Sequence, residues 1–467
     1  MSTRKPGVLS ALGPLSVAHW ASIIIVSGAL LLGYIAPAGL TTQQSWSAAL
    51  VVAALGLMAT AVVADYLIAL LFFLAAMLFA IAPAEVVFAG FSAGATWLII
   101  SGFVIGMAVK STGLGQRLSG YLMVFASSYT RLTSAVVVLG VGLAFLMPSS
   151  MGRIVLLMPI VLLLAERCGL KPGSQGYVGM ALAAGFGAHV PSFAVLPANV
   201  PNMVLVGVAD TVHGLTLGYA EYLWLHFPVL GVLKAVLIIW LIIKMFPAGS
   251  LVATQSEIKP LQRTEIYLLG LLLVALGFWL TDSVHQLSPA WVALTVAVIL
   301  LLPRIGLVSK QQFSEQFNFN TVLFIAAILG IGAVINHSSL GAWFAHLLAP
   351  VLPLAPNEPL QNYLSLSLLS MSSGVVAGLP GIPAVLTPVA AEFAQASGLP
   401  LKAVLMSQVV GISTFLFPYE SGPLLLALSM ANVPMRLALK YTLVLAAMSV
   451  VLLWPLNYLW WLLLGWL

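Results

Sequence analysis

Two ionisable side chains stand deep inside long apolar stretches, Arg153 in LMPSSMGRIVLLMPIV and Glu420 in LFPYESGP. A charge at membrane depth is costly, so such a residue is paired or it serves a function. Arg153 follows Pro148-Ser149-Ser150, which can end one helix and start another. In the first turn of a returning half-helix, the positive end of the macrodipole disfavours a cation unless an anion is present as well. A planar guanidinium grips a carboxylate or a sulfate through two parallel hydrogen bonds, and the free N–H groups after Ser149 and Ser150 add donors. The alternatives for this arginine are a permanent ion pair with a buried carboxylate and the capping of carbonyls. Glu420, bracketed by Pro418 and Pro423, sits where a broken helix frees backbone carbonyls, with Ser421 beside it. Its carboxylate suits a sodium ion, a proton, or the role of fixed counter-charge to Arg153. AVLPANVPNMVLVG is a comparable break, at Pro197 and Pro201; it offers Asn199 and Asn202 as neutral oxygen donors to a cation or ligand, or as polar packing in a kinked helix. His189, just upstream, fits hydrogen-bonded structure better than a proton relay, and Lys234 is expected to snorkel. No HExxH, no GxSxG near a membrane histidine and no paired aspartates occur in the apolar stretches, which argues against an intramembrane enzyme.

The elements that must position these groups are membrane spans. The chain has 467 residues, 61% hydrophobic and 6% charged, whereas a soluble surface needs roughly 25% charged residues. Its net charge of +5, from 17 basic and 12 acidic residues, is scattered and forms no cluster that could track a phosphate backbone, so nucleic acid is not a partner. A single cysteine, Cys168, excludes disulfide frameworks, thiolate metal clusters and iron–sulfur sites. The run over 17–36 exceeds a signal-peptide core and reads as a first span. Further runs near 47–64, 66–82, 94–109, 176–207, 223–245, 264–281, 287–303, 320–336, 402–430 and 435–465 bring the expected number to about eleven. Two more apolar stretches, 132–166 and 361–397, are broken in the middle, at Pro148 and around Pro380 in VVAGLPGIP. The fold expected is therefore an all-α polytopic membrane protein with two opposed re-entrant hairpins.

Basic residues test this path, because cytoplasmic loops collect Lys and Arg. Arg4/Lys5, Lys110/Arg117/Arg131, Arg167/Lys171, Lys244/Lys259/Arg263, Arg304/Lys310 and Arg436/Lys440 all fall inside if 132–166 enters and returns without crossing. Asp210/Glu221, Asp282/His285 and Glu358 then fall outside, and 361–397 opens to the opposite side; only Lys402 lies on the wrong side. The N-terminus is placed in the cytoplasm and the Trp-rich C-terminus in the periplasm, in an inner (plasma) membrane. TWLIISGFVIGMAVKSTGLG, from Thr96, can be laid on TVLFIAAILGIGAVINHSSLG, from Thr321, superposing Gly106 on Gly332, Leu114 on Leu340 and Gly115 on Gly341. Span, broken hairpin and Pro-interrupted span recur in that order in both halves. Such inverted repeats belong to secondary transporters, whose ligand sits where the broken elements meet. The chain divides accordingly into scaffold helices over 1–93, a first repeat over 94–246, a cytoplasmic linker over 247–263, scaffold helices over 264–319 and a second repeat over 320–467.

FAGFSAGATWLIISGFVIGMAVKSTGLGQRL, the hairpin ending LLMPIVLLLAERCGL, the PANVPN break and the Trp-rich final span together resemble the divalent anion:sodium symporter family over nearly the whole chain. The resemblance implies a homodimer in the lipid bilayer, with scaffold and transport parts that slide like an elevator. It implies a small anion, a di- or tricarboxylate or sulfate, bound at two hairpin tips and two breaks. Carried onto this chain, the tips are Ser149-Ser150-Met151 and Gly378-Leu379-Pro380, and the breaks Asn199-Val200-Pro201-Asn202 and Ser421-Gly422-Pro423-Leu424. The substrate-binding set is then Ser149, Ser150, Arg153, Asn199, Asn202, Gly378, Glu420 and Ser421. A sodium ion, if one is used, falls to Ser149, Ser150, Asn199 and Asn202. In the family the tips usually read Ser-Asn-Thr and the breaks Thr-Pro-Pro-Asn, so the second half here has lost its hydroxyl and amide ligands to Gly, Leu and Pro. No cofactor is expected beyond sodium or a proton as coupling ion, and exchange of anions is the other mode. A cation/proton antiporter using Glu420 and His189 is the alternative reading.

Overall fold

In the computed structural model the described residues are 17–467 apart from 38, 61, 114–121, 253–259, 342 and 344–351, and among them every regular element is helical. Arg4, Lys5, Arg117 and Lys259 of the charge map, and Leu114 and Gly115 of the aligned segment, lie outside the described residues. The chain opens with α1 (Val17–Ile35), α2 (Thr42–Thr60) and α3 (Asp65–Leu78), and continues through α4 (Gly94–Ser111). A helical hairpin follows, α5 (Tyr129–Leu146) and α6 (Ser150–Arg167), and then α7 (Gln175–His189) and α8 (Val200–His213). Next come α9 (Tyr219–Met245), α10 (Arg263–Leu280) and α11 (Pro289–Leu301). The second half holds α12 (Phe319–His337), α13 (Pro359–Leu386), α14 (Ala390–Ser397), α15 (Leu401–Ile412), α16 (Gly422–Met430) and α17 (Met435–Leu463). Among the described residues 8 of the helices are long and apolar enough to cross a bilayer, and α3, α11 and α15 are shorter apolar helices.

Local chemistry sets the ends. Pro289 and Pro359 occupy first-turn positions where a missing N–H costs nothing, and Ser128, Ser149, Ser174, Asn199 and Ser421 cap the helices that follow them. The interrupted stretches resolve as the prolines demand. Between α7 and α8 the chain runs through two 3₁₀ turns, Pro191–Ala194 and Leu196–Ala198, and between α15 and α16 through one, Pro418–Glu420. Pro159, by contrast, is accommodated inside α6. The second hairpin carries a further interruption at Thr387–Val389, between α13 and α14, where Pro388 stands.

The order of elements from α4 to α9 therefore recurs from α12 to α17. A further shared feature appears at the end of each half: α9 contains a π-helical stretch, Phe227–Leu233, and α17 another, Ser449–Leu453. Pro228 cannot donate to the carbonyl four residues back, and that carbonyl, of Trp224, instead accepts a hydrogen bond from Trp460 Nε1 (3.1 Å).

At the centre lies α7, buried from Gly176 to His189, packed against both arms of the first hairpin and against α16 of the other half. Close approach is possible because Gly140 of α5 faces the Gly187-Ala188 backbone, where a Cβ would come within 2.7 Å. α8 packs in turn on α13 and α12, so the broken elements of the two halves interleave. α1 and α2 pack mainly on each other at the periphery, and α1 leaves Trp20, Ile24 and Leu31 exposed. Lys402, the residue that the charge map misplaced, forms an ion pair with Glu221 (3.0 Å), which compensates its charge where it stands. Lys234 does not snorkel: it is buried, 1% exposed, because it follows the π stretch of α9 and points into the protein.

Candidate functional site

Four half-helices begin around one cavity of about 760 Å³. Ser149 caps α6 by accepting from the Gly152 N–H (3.1 Å), Asn199 caps α8 by accepting from the Asn202 N–H (3.0 Å), and Ser421 caps α16 by accepting from the Leu424 N–H (3.3 Å). The fourth is the second arm of α13, which restarts at Leu379 after Gly378. Ser149, Asn199, Gly378 and Ser421 all line the cavity. A helix N-terminus presents unpaired N–H groups and the positive end of its dipole, so four of them aimed at one volume create a site for an anion.

Gly378 makes the second tip possible. Its φ of 65° and ψ of 166° lie in a region that only glycine occupies without strain, and this single residue kinks α13. Tyr419 ties the tip to the second break by donating from its hydroxyl to the Val375 carbonyl (3.0 Å). Nothing in the sequence singled Tyr419 out, because an exposed aromatic beside a proline has many uses.

Arg153 is placed differently from the expectation of direct contact with an anion. It is fully buried and is absent from the cavity lining. Its Nε donates to the Ala188 carbonyl (2.9 Å), Nη1 to those of Met147 (2.5 Å) and Ala198 (2.9 Å), and Nη2 to Ser150 Oγ (2.9 Å). No ion pair joins it to Glu420. The guanidinium thus stands behind the first tip and first break and fastens one to the other. The capping alternative describes this arrangement, since the fork spans four oxygens that no single carboxylate could satisfy.

This geometry also bears on the four residues expected to hold sodium. Ser149 Oγ and Asn199 Oδ1 are helix caps, and Ser150 Oγ accepts from Arg153. Asn202 turns its Nδ2 to the Phe193 and Val195 carbonyls (3.0 and 3.1 Å), leaving Oδ1 buried without a hydrogen-bond partner among the described residues. Of these four side chains only Ser150 touches the guanidinium, whose other acceptors are the Met147, Ala188 and Ala198 carbonyls.

Glu420 and His189 do line the cavity, both nearly fully buried. Glu420 Oε1 accepts from the Leu416 and Phe417 N–H groups (3.0 and 2.8 Å), while Oε2 has no partner among the described residues and faces Gly374 so closely that a Cβ there would collide with it. His189 Nε2 meets Ser421 Oγ at 2.8 Å, a contact between the breaks of the two halves. The sequence reading of His189 as hydrogen-bonded structure left this partner unidentified, because 232 positions separate the two residues.

Residues 16–467 match the model of the sodium:sulfate symporter transmembrane region. The chain belongs to this family. It is a multi-pass membrane protein and an anion transporter of the divalent anion:sodium symporter type. It is 26% identical over 354 residues to the L-tartrate/succinate antiporter of Escherichia coli (strain K12), covering 72% of each chain. A protein of Cupriavidus necator described only as a membrane protein is 23% identical over 353 residues, covering 71% of this chain and 68% of that one. Among solved structures, the YdaH transporter of Alcanivorax borkumensis has the same fold at a TM-score of 0.57 and 16% identity, over 96% of this chain and 98% of that one.

Proposed function

We propose that this transporter carries a small dicarboxylate and works by exchange of one anion for another, without a bound sodium ion. The observation that carries the reading is the convergence of four helix N-termini on one cavity, with the fixed cation Arg153 locked onto Ser150 Oγ and the Met147, Ala188 and Ala198 carbonyls behind the first tip and first break. A covalently held cation gives the charge balance that a bound alkali ion would otherwise supply. The similarity to an L-tartrate/succinate antiporter supports both the substrate class and the mode. The moving part is the unit of hairpins and broken helices, sliding as an elevator against α1–α3, α10 and α11. On this reading the protein is a homodimer of the inner membrane, with the N-terminus cytoplasmic and the C-terminus periplasmic.

Purified protein in liposomes tests it. Vesicles loaded with unlabelled succinate or tartrate should accumulate labelled succinate equally with and without sodium. Strict dependence on sodium overturns the sodium-free exchange, and absence of counterflow with succinate, tartrate, citrate and sulfate overturns the anion reading.

A second reading is favoured by Glu420 Oε2, which has no partner among the described residues: a proton on that oxygen would travel with the anion. Uptake driven by an imposed proton gradient in vesicles free of internal anion supports it, and indifference to the gradient excludes it.

A further inference from the structure

Lys234 is a second buried cation that the binding site does not explain. Its ammonium donates to the Ser413 carbonyl, to Thr414 Oγ1 (3.0 Å) and to Ser413 Oγ (3.5 Å), and no carboxylate pairs with it among the described residues. Thr414 Oγ1 is held on its other side by Trp454 Nε1 (3.2 Å), the residue after the π stretch of α17. Lys234 itself follows the π stretch of α9, so the two π-helical segments, one from each half, frame this cluster.

Ser413 is the residue at which α15 ends, and Glu420 and Ser421 lie at the far end of the same break. A small cavity beside Lys234 is lined both by Ser413 and Thr414 and by Val190, where α7 ends at the first break. Lys234 therefore sits behind both breaks, at the point where two half-helices present their carbonyl ends. Those ends carry the negative pole of each helix, which opposes binding of an anion nearby. Arg153 engages the carbonyl end of α7 through Ala188, and Lys234 engages that of α15 through Ser413.

We propose that Lys234 is a positioning residue for the anion: from behind the breaks it holds the carbonyl end of α15 and offsets that end's negative charge toward a dianion in the cavity. The proposal rests on the dicarboxylate reading above. It does not place Lys234 in contact with the substrate, since the residue is absent from the cavity lining.

A charge acting through space scales with the charge of the ligand, whereas a packing defect does not. Binding of succinate, a dianion, and of monomethyl succinate, a monoanion, is therefore measured on the full-length protein and on Lys234→Gln, Lys234→Met and Lys234→Arg. The two neutral variants should weaken succinate on the order of tenfold and monomethyl succinate only about threefold, the square root expected when the ligand charge is halved. Lys234→Arg should stay near the parent for both ligands. Unchanged affinity in the neutral variants, or an equal loss for both ligands, overturns the proposal while leaving the dicarboxylate reading intact. Absence of succinate binding in the unsubstituted protein overturns that reading and, with it, the role of Lys234.

Discussion

At the scale of the residue, Arg153 and Glu420, the two charges that stand deep in the apolar stretches, divide the work between them. Arg153 is spent on the protein: four donors on four oxygens, all inside the fold. Arg153→Met should strand the Ala188 and Ala198 carbonyls, at about 1–3 kcal/mol for each buried group left unsatisfied, while the Met147 carbonyl keeps the Ser149 N–H (2.8 Å). Thermal unfolding in detergent should register the loss as a large fall in Tm, with succinate binding abolished. Lysine should rescue only part of either effect, because a point charge cannot span the four acceptors; an alanine or methionine variant of unchanged Tm would remove the fastening role. Glu420 is the opposite case, with Oε1 held by two N–H groups and Oε2 without a partner among the described residues. Glu420→Gln keeps an oxygen for the Leu416 and Phe417 N–H groups, so the protein should fold and should bind succinate at least as tightly. Any response of transport to a proton gradient should disappear, as read in liposomes at fixed sodium.

Among the elements, the second hairpin depends on one backbone conformation. Gly378 at φ 65° and ψ 166° turns α13 at the cavity, and an alanine there should cost about 1–3 kcal/mol of local strain. Gly378→Ala should therefore lower the rate of counterflow more than it lowers Tm, since the strain can be relieved by shifting the tip away from Tyr419 and the second break. Equal counterflow rates in the variant and the parent would show that the tip tolerates other geometries. The first hairpin has no such glycine at its turn; Met147 and Ser149 are extended there, and its precision comes from the Ser149 cap and the Arg153 fastening.

For the whole molecule, the recurrence of α4 to α9 in α12 to α17 joins two halves whose broken helices interleave. The charge map implies that the two hairpins enter from opposite faces, which places positions near Arg167 and near Asn362 on different sides of the membrane. Single cysteines at these sites, labelled in intact cells with an impermeant reagent after removal of Cys168, should react from opposite sides. Reaction from the same side would break the inverted relation between the halves, along with the proposed elevator motion. The ion pair of Lys402 with Glu221 fits the same map, because a basic residue outside is tolerated where an acidic one neutralises it.

Much of this was legible in the sequence, because hydropathy and proline act locally. A run of apolar residues long enough for a bilayer must be helical in lipid, and Pro148, Pro197 and Pro418 interrupt helices where they stand, whereas Pro159 is absorbed within α6. The caps at Ser149, Asn199 and Ser421 follow from the same local rules, and so did the placement of the breaks. What only the tertiary structure decided is where the side chains at those breaks point and what they meet. Arg153 faces carbonyls 35 and 45 positions away rather than the cavity, and His189 meets Ser421 across 232 positions. Lys234 turns inward to Ser413, 179 positions on, where a local rule sent it toward the interface. A buried polar group settles on whichever acceptors the packing brings within hydrogen-bond reach, and that proximity is a property of the assembled halves, not of any segment read alone.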